Sequence, residues 1–496
     1  MLTIKEFAPT MDIIIDNWTQ LTLTQLTSVS VKFPSTKFEI VITKTKPLNE
    51  PLISNVNQKV PTMKLSIICL FVFLMIQDSQ CLLPPKFQWK TIDFAWEGNA
   101  REAALKSKAY IPENNMPTGI ARWRDKLFIT IPRWKKGIPT SLNYVYVNGS
   151  QSQPLRPYPS WGEAFVSDAA CCVSANSTVV SAFRPHVDRC DRLWVVDNGV
   201  ADMTRDLRQV TAPAILVFDL KTDTLLRRYV IDDDLLRDSS VLTSIVVDTA
   251  CKGCNNAYAY IPDMGSNAIL VYNLARDEAW RVESHYFHFD PHAGVYKVGG
   301  VEFYWSDGVS SAVLSPSKKT SGFPDLYFHP TSSTKQFRMS TKLLRDKHVP
   351  QEDIFTGVEV VGERGDKSQA TACDLDPNTN VLFYTQLSKN GVSCWNMDKP
   401  LTEENVPLII SDCNVLEFPS DIKVDHDGNL WIISNRQSRF LYESMDFSQV
   451  NFRILSAPVE AVIRDTPCEK LSRIEKALSF MKPKTNKRKL NQNKTQ

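Results

Sequence analysis

Short hydrophobic runs recur along the chain after residue 85, and each is bounded by polar or turn-forming residues. The runs are rich in β-branched and aromatic residues and end close to Asp, Asn, Gly or Pro, which is the pattern of short β-strands. The six clearest runs begin at Leu127, Leu193, Ala257, Leu326, Leu382 and Leu430, so that successive starts are 66, 64, 69, 56 and 48 residues apart. This recurrence predicts one structural unit repeated six times.

Other strand patterns flank these runs. Similar segments precede four of them, at residues 117–120, 244–248, 372–376 and 419–425, and others follow at residues 215–219 and 269–273. Three or four strands in each of six units are typical of a β-propeller, whose ring closure protects the sheet edges. We therefore predict an all-β fold, a six-bladed β-propeller over residues 85–465. A pair of β-sandwiches is the alternative, although sandwiches do not require matched runs at this spacing. Helix is sparse, and residues 99–109 are the clearest helical segment.

An apolar segment lies well behind the first residue. Met63 and Lys64 precede an apolar run from Leu65 to Ile76 and a short polar stretch, which is the layout of a secretory signal peptide. A buried core helix is the alternative. We expect residues 63–80 to be a signal peptide and residues 1–62 to be a non-native or disordered N-terminal extension, with Met63 as the true start. Residues 469–496 are predicted to be a basic disordered tail, because they are rich in Lys and lack apolar periodicity.

Composition agrees with a globular protein that is exported from the cell. Hydrophobic residues make up 43% and charged residues 23%, which permits a large core, and the net charge is +2. The nearly balanced charge argues against a nucleic-acid partner, and no apolar run reaches the length of about 18 residues that a membrane-spanning helix needs. The predicted location is therefore extracellular, with no membrane and no nucleic acid as partner. Asn148 and Asn176 stand in glycosylation sequons, which have meaning in a secreted chain.

The chain contains eleven cysteines, of which Cys69 would leave with the signal peptide. The other ten are an even number, which predicts disulfides in an oxidising compartment, while their pairing is open. Cys251 and Cys254 form a CxxC pair, for which a redox or zinc role is the alternative. No second CxxC is present to complete a four-thiolate zinc site.

Familiar catalytic motifs are missing from the sequence, which contains no GxSxG, HExxH, GxGxxG or P-loop. His285, His288, Asp290 and His292 form the only histidine cluster. Strand alternation would place His285 and His288 on opposite faces, so we predict neither a metal site nor a cofactor. The segment 425–429 (DHDGN) is read as a hairpin turn, since it lacks the spaced carboxylates and final Glu of a calcium loop.

Seven segments in a fixed order carry a resemblance to a known family. They are YIPENNMPTG (110–119), DKLFITIPRWKKGIPT (125–140), CDRLWVVDNG (190–199), AYAYIPD (257–263), AWRV (279–282), VSCWN (392–396) and GNLWIISNR (428–436). Together they resemble the insect yellow and major royal jelly protein family, from about Trp89 to about Pro458. The resemblance implies a six-bladed propeller, secretion and glycosylation. It also implies a disulfide between Cys172 and Cys190, and another that joins Cys251 or Cys254, with Cys254 preferred, to Cys394.

The resemblance places the functional question in the central channel of the propeller. Family members from biting-fly saliva look like binders of aromatic amines there, through segments that match residues 418–421 and 434–436. The candidate ligand-binding residues are Asn435, which offers an amide, Ser420, which offers a hydroxyl, Asp421 and Arg436. The alternative is that Asn435 and Arg436 merely close the last blade. Gln437 stands where the amine binders carry an aromatic ring, which puts amine capture in doubt.

Three functions from different classes remain open on these grounds. The first is a secreted protein of cuticle pigmentation or the melanin pathway, which binds a small biogenic amine or catecholamine derivative. The second is a dopachrome-converting isomerase, because some yellow proteins are similar to such enzymes, although no catalytic residue is marked out by spacing. The third is a structural cuticle, eggshell or nutritional protein without a ligand.

Overall fold

The computed structural model describes residues 83–165, 179–249, 253–316 and 322–470, together with one hairpin near the start of the chain. In that hairpin, β1 (Leu26–Lys32) pairs antiparallel with β2 (Glu39–Lys44), within a unit that spans Met1–Asp78. This hairpin lies within residues 1–62, whose interpretation as a non-native or disordered extension stays a prediction. The predicted signal peptide 63–80, residues 471–496 of the predicted tail, Asn176 and Cys172 lie outside the described residues.

Six four-stranded antiparallel sheets form the second unit, and they confirm the predicted six-bladed β-propeller. Blade I contains β4 (Gly119–Trp123), β5 (Lys126–Thr130), β6 (Leu142–Tyr146) and β7 (Arg156–Pro157). Blade II contains β8 (His186–Val187), β9 (Arg192–Asp197), β12 (Ala214–Asp219) and β13 (Thr224–Val230). Blade III contains β14 (Val246–Asp248), β15 (Tyr258–Asp263), β16 (Ala268–Asn273) and β17 (Glu278–Glu283).

The remaining three blades follow the same order. Blade IV contains β20 (Val309–Leu314), β21 (Asp325–Pro330), β22 (Lys335–Ser340) and β23 (Val358–Glu363). Blade V contains β24 (Cys373–Asp376), β25 (Val381–Gln386), β26 (Gly391–Asn396) and β27 (Leu408–Ser411). Blade VI contains β28 (Pro419–Val424), β29 (Asn429–Ser434) and β30 (Phe452–Pro458), and its fourth strand is β3 (Pro85–Trp89).

The six hydrophobic runs of the sequence are the second strands of the six blades. Strands β9, β21 and β25 are buried along their whole length, and β5, β15 and β29 are buried from their second residue onward. A strand covered on both faces has no solvent side and therefore reads as a continuous apolar run instead of an alternating one. The burial of these strands thus explains why they gave the clearest signal.

The ring is closed by a strand from the beginning of the propeller. Strand β3 pairs antiparallel with β30, with Trp89 opposite Phe452 and Phe87 opposite Ile454. The side chains of Phe87 and Trp89 are buried in the core shared with blade I. Blade VI is therefore built from both ends of the propeller sequence, so that closure depends on contacts between distant residues.

Aspartates in the hairpins hold the second strands of two blades in the same way. In blade VI, Asp425 accepts hydrogen bonds from the backbone N–H of Asp427 and Asn429 and from the indole of Trp431 at 2.6 Å. In blade II, Asp188 accepts a bond from the indole of Trp194 at 2.8 Å. These contacts confirm that residues 425–429 form a hairpin turn, in which a side-chain carboxylate replaces backbone acceptors.

In the second unit, short helices and two additional strand pairs lie outside the six four-stranded sheets. The predicted helix is confirmed as α1 (Ala100–Ser107), and the others are α2 (Trp161–Ala164), α3 (Thr341–Leu344), α4 (Gln351–Thr356), α5 (Gln437–Tyr442) and α6 (Val459–Ile463). Strands β10 (Val200–Ala201) and β11 (Arg208–Gln209) form one additional pair, and β18 (Val295–Val298) and β19 (Val301–Tyr304) form another. The β18–β19 hairpin lies between blades III and IV in sequence and contributes to the site described below.

The disulfides differ from those implied by the resemblance. Cys190 is bonded to Cys254, with their Cα atoms 5.9 Å apart, and Cys394 is bonded to Cys468, with their Cα atoms 6.1 Å apart. The pairings of Cys172 with Cys190 and of Cys254 with Cys394 are therefore wrong. Cys190 precedes β9 in blade II and Cys254 precedes β15 in the next blade, whereas Cys394 lies in blade V and meets the segment after α6.

The histidine cluster also has a different local structure from the predicted strand. His285 and His292 lie in separate turns of 3-10 helix, and the rings of His285 and His288 are 6.2 Å apart instead of on opposite faces. Within the described parts of the chain, no three His, Cys, Asp or Glu side chains are grouped as metal ligands. No helix among the described residues is long and apolar enough to cross a membrane.

Candidate functional site: a pocket in the propeller channel

The first strand of each blade lines the centre of the ring, and side-chain hydrogen bonds link these strands to one another. Ser420 donates to the carbonyl of Thr118 at 3.0 Å, which joins blade VI to blade I. Ser310 donates to the carbonyl of Thr371 at 2.8 Å, and Thr243 donates to the carbonyl of Ser310 at 2.9 Å. Small hydroxyl residues therefore connect the blades where the inner strands begin, and they leave space above them.

That space is a cavity of about 260 Å³ at the channel mouth. All six blades contribute to it through residues at or just before their inner strands, which we call the polar ring. The polar ring consists of Thr118, Arg184, Thr243, Ser310, Thr371 and Ser420. A concave space of this kind, with convergent polar groups and apolar walls, is the default position of a ligand site.

Aromatic and sulfur-containing side chains form the walls of the cavity. Trp134 comes from the loop between β5 and β6 and packs against Phe183, with ring centroids 5.8 Å apart. Trp305 follows β19, packs edge-on against Phe418, and donates its indole N–H to the hydroxyl of Tyr442 at 2.6 Å. Met203, Met264 and Leu441 complete the apolar lining. The walls therefore favour a flat, aromatic ligand.

One carboxylate faces this apolar environment without a protein partner. Asp307 lines the cavity, and among the described residues no hydrogen bond or ion pair reaches its carboxylate. Burial alone raises the pKa of Asp307 to about 6. An acid whose charge is destabilised and left uncompensated is typical of groups that exchange protons with, or bind charge on, a ligand.

The backbone of Asp307 is held from several sides. Its N–H donates to the hydroxyl of Ser332 at 3.3 Å and its carbonyl accepts from the N–H of Ser332 at 3.1 Å. The neighbouring Gly308 has no room for a side chain, because a Cβ atom there would lie 2.8 Å from the carbonyl oxygen of Phe287 and 2.9 Å from that of Met264. The loop between β19 and β20 therefore holds the backbone of Asp307 in place.

One guanidinium belongs to the polar ring. Arg184 is held by bonds from Nε to the carbonyl of Ser420 and from Nη1 to the carbonyl of Ser310, both at 3.1 Å. Asp421 is the nearest acid, and its Oδ1 lies 3.7 Å from Nε, beyond hydrogen-bond distance. Burial lowers the pKa of Arg184, with Asp421 partly offsetting this effect. The cavity thus has a cation in its polar ring as well as the carboxylate of Asp307.

The structure brings only one of the four predicted ligand residues to the cavity, namely Ser420. Asn435 is fully buried and donates to the carbonyl of Pro117 at 2.9 Å, while its oxygen accepts from the N–H of Gln437. Asp421 is fully buried and accepts bonds from the backbone N–H groups of Ile120 and Ile422.

The fourth residue, Arg436, is directed elsewhere. Its Nη1 donates to Asn451 at 3.2 Å, and its Nε lies 3.4 Å from Glu417. Asn435 and Arg436 thus bond to other parts of the propeller, and neither is among the residues that line the cavity. Gln437, the first residue of α5, does line the cavity.

Sequence reasoning missed Arg184, Asp307 and the tryptophans of the wall. Asp307 lies in a WSDG segment (305–308) that looks like an ordinary turn, and Arg184 lies in a loop between two weak strands. The sequence did contain a signal for Asp307, because this acid stands just before an inner strand and two residues after Trp305. No sequence feature showed that these residues line the same cavity, because they come from different blades.

The architecture defines a six-bladed propeller with a cavity at the mouth of its channel. Comparison with known proteins assigns its family. The sequence profile described as "Major royal jelly protein" matches residues 180–468. The chain is 34% identical over 407 residues to the L-dopachrome tautomerase yellow-f of Drosophila melanogaster, which covers 77% of this chain and 93% of that protein.

Two further relatives agree with this assignment. The dopaminechrome tautomerase of Drosophila melanogaster is 35% identical over 400 residues, covering 79% of this chain and 85% of the relative. Protein yellow of Drosophila erecta is 35% identical over 393 residues, covering 78% of this chain and 71% of the relative. The chain therefore belongs to the yellow and major royal jelly protein family, as the sequence resemblance implied.

Proposed function

We propose that this protein is an aminochrome tautomerase, which isomerises a dopachrome-like quinone in the channel pocket. The observation that carries the proposal is the uncompensated carboxylate of Asp307 beside the aromatic walls. Two relatives that cover most of the chain are named as tautomerases of dopachrome and dopaminechrome, which supports the same reaction class. The proposal takes up the isomerase alternative, and the site now provides it with a candidate base.

The reaction moves protons from ring carbons to quinone oxygens, and the substrate gains and loses no atoms. A general base must take a proton from carbon while the electron pair moves into the conjugated carbonyl. With a pKa near 6, Asp307 is largely ionised at neutral pH and still basic enough to accept that proton. The hydroxyl of Thr118 in the polar ring has no hydrogen-bond partner among the described residues and is available to donate to the developing oxyanion.

The first experiment measures the loss of visible absorbance of L-dopachrome and of dopaminechrome with purified protein. We expect conversion faster than the spontaneous reaction, and a decrease in kcat/KM of about 100-fold or more in Asp307→Asn, because removal of a general base costs this much. Asp366→Asn is the matched control, since Asp366 is exposed and does not line the cavity. Absence of conversion in the wild-type protein, or full activity in Asp307→Asn, would contradict the proposal.

Capture of an aromatic amine without turnover is the second candidate, and it corresponds to the binding role favoured by the sequence. Its support is the same carboxylate, which can pair with an ammonium group while Trp305 offers a ring face. Calorimetric titration with dopamine and serotonin tests it, with Asp307→Asn as the variant that should lose binding. Heat of binding without any quinone conversion would favour this role. Absence of both binding heat and quinone conversion would favour a structural role.

The biological setting proposed here is extracellular pigmentation chemistry. Its support is the family assignment and the segment at residues 63–80 with the layout of a signal peptide. Asn148 lies exposed in the turn after β6, where an oligosaccharide would meet no steric obstacle from the blade. Mass spectrometry of protein secreted from insect cells, before and after glycosidase treatment, tests both export and glycosylation.

A further inference from the structure

The cavity carries two opposite charges that do not neutralise each other. No charged group contributes to the raised pKa of Asp307, and among the described residues Asp421 is the only carboxylate that raises the pKa of Arg184. Both groups line the cavity, and no hydrogen bond or ion pair between described residues joins one to the other. A ligand that satisfies both must have an anionic end in addition to the part that meets Asp307.

The guanidinium of Arg184 is held in a fixed position in which it can bind such an anion. Its Nε and Nη1 are held by backbone carbonyls of blades VI and IV, which fix its position, and no described residue accepts a bond from Nη2. The charge of Asp421 is shared, because this acid also lies 3.2 Å from the ammonium of Lys423 and accepts two backbone N–H groups. Arg184 is therefore a buried cation whose charge is only partly compensated, and a ligand carboxylate would supply the missing partner.

We propose that Arg184 binds the carboxylate of the substrate and makes the pocket selective for carboxylated aminochromes over decarboxylated ones. This inference rests on the proposed tautomerase function and assigns a specificity-determining residue to it. The carboxylate at Arg184 orients the flat ring along the aromatic walls, so that a ring C–H faces Asp307. A charge-assisted hydrogen bond in a desolvated site gives about ten- to hundredfold discrimination, which sets the expected size of the effect.

The experiment compares three quinones that share one ring system, namely L-dopachrome, its methyl ester and dopaminechrome. We expect the wild-type kcat/KM for L-dopachrome to exceed the other two values by about tenfold or more, mainly through a lower KM. In Arg184→Lys and Arg184→Gln, the value for L-dopachrome should fall while the other two change little, so that the ratio approaches one. Equal wild-type values for all three quinones, or a ratio unchanged in folded Arg184 variants, would overturn the inference.

Arg364→Lys serves as the matched control for removal of a buried guanidinium. Arg364 is 1% exposed, donates to the carbonyls of Ser333 and Lys335, and does not line the cavity. Its replacement should lower the melting temperature without changing the ratio between the quinones. A change of the ratio in Arg364→Lys as large as that in Arg184→Lys would show that the effect is a general loss of structure, which would overturn the inference.

A binding measurement on the wild-type protein separates the two proposals if turnover is absent or the Arg184 variants do not fold. Calorimetry with indole-2-carboxylate and indole-2-carboxamide should show about tenfold tighter binding of the acid. No turnover of any quinone together with this preference would overturn the tautomerase function and leave Arg184 as the carboxylate-binding residue. Turnover together with equal binding of acid and amide would leave the tautomerase and overturn the role of Arg184.

Discussion

The carboxylate of Asp307 lowers the stability of the folded protein at neutral pH, because burial disfavours its charged form. Because burial raises its pKa to about 6, above the usual value of an aspartate, the folded state binds this proton more tightly than the unfolded chain. The contribution to stability is therefore fully present below the unfolded pKa of about 4 and is lost as the pH rises through 6. At neutral pH the ionised carboxylate costs up to about 3 kcal/mol.

The first prediction at this scale concerns stability. Asp307→Asn should raise the free energy of unfolding at pH 7 by about 1–3 kcal/mol, because it removes a charge that burial opposes, and the gain should vanish near pH 4. Urea unfolding at both pH values measures it. A destabilised Asp307→Asn protein at pH 7 would mean that the carboxylate has a structural partner instead of a role in the pocket.

The second prediction concerns the pH dependence of catalysis. The base form of Asp307 is required, so kcat/KM for quinone conversion should fall about tenfold for each pH unit below 6 and be level above it. A buffer series with L-dopachrome measures this profile, after correction for the spontaneous reaction. A profile without a break near 6 would assign the proton transfer to another group.

Single residues were also the least predictable part of the site. The sequence resemblance marked the segment that contains Ser420, and Ser420 does line the cavity. Asn435 and Asp421 were marked in the same way, but their polar side-chain atoms form hydrogen bonds with the backbone of Pro117, Ile120 and Ile422. Whether a polar side chain bonds to the backbone of its own fold or to a ligand depends on atoms from other blades. Sequence order contains little information on such contacts.

At the scale of elements, the β18–β19 hairpin and α5 together form one wall of the pocket. Phe303 stacks on Tyr442 with ring centroids 5.3 Å apart, and Ser438 donates to the carbonyl of Val298 at 3.3 Å. Arg439 donates to the carbonyl of Gly299 and to Glu417, which adds a charged contact beside the aromatic one. Trp305 is therefore positioned by two elements that lie outside the hydrogen-bonded ladders of the blades.

The prediction for this wall uses two tyrosines. Tyr442→Ala removes both the stacking partner of Phe303 and the acceptor for the Trp305 indole, so KM should rise about three- to tenfold with a loss of stability near 1 kcal/mol. Tyr304→Ala is the control, because Tyr304 is in the same hairpin but is 77% exposed. Steady-state kinetics and urea unfolding of both variants check it, and equal KM values in the two variants would refute the assigned role of the wall.

Elements that are buried on both faces were predictable, and elements that depend on partners were not. The second strands of all six blades appear as apolar runs, and α1 follows from its helix-forming residues. Strand β8 has only two residues and therefore lacks a local signal. The β18–β19 hairpin has one, since its alternating strands flank Gly299 and Gly300, but the search for continuous apolar runs did not detect it. The predicted cysteine pairs were wrong for a related reason, because only the arrangement of the blades brings Cys254 and Cys468 close to their partners.

For the whole molecule, stability depends on the closure of the ring by β3. Two truncated proteins, each expressed behind the same signal peptide, should differ in their unfolding. The protein that begins at Leu83 should unfold as the full chain does. The protein that begins at Thr91 should lose cooperative unfolding. The second protein lacks the buried side chains of Phe87 and Trp89, which together are worth about 6–10 kcal/mol, comparable to the stability of a domain. Thermal melting followed by circular dichroism measures the difference, and similar melting temperatures would show that β3 is dispensable.

The pairing of β3 with β30 also sets the order in which the nascent chain can finish folding. Strand β3 is made before all other strands of the ring, yet its partner around Phe452 is made only after the five other blades. Until then Phe87 and Trp89 remain exposed to water, and blades I to V can pair only among themselves. Completion of the ring therefore carries a large loop-closure cost, and until β3 has paired, the edge of β30 in blade VI is exposed to chaperones and to aggregation.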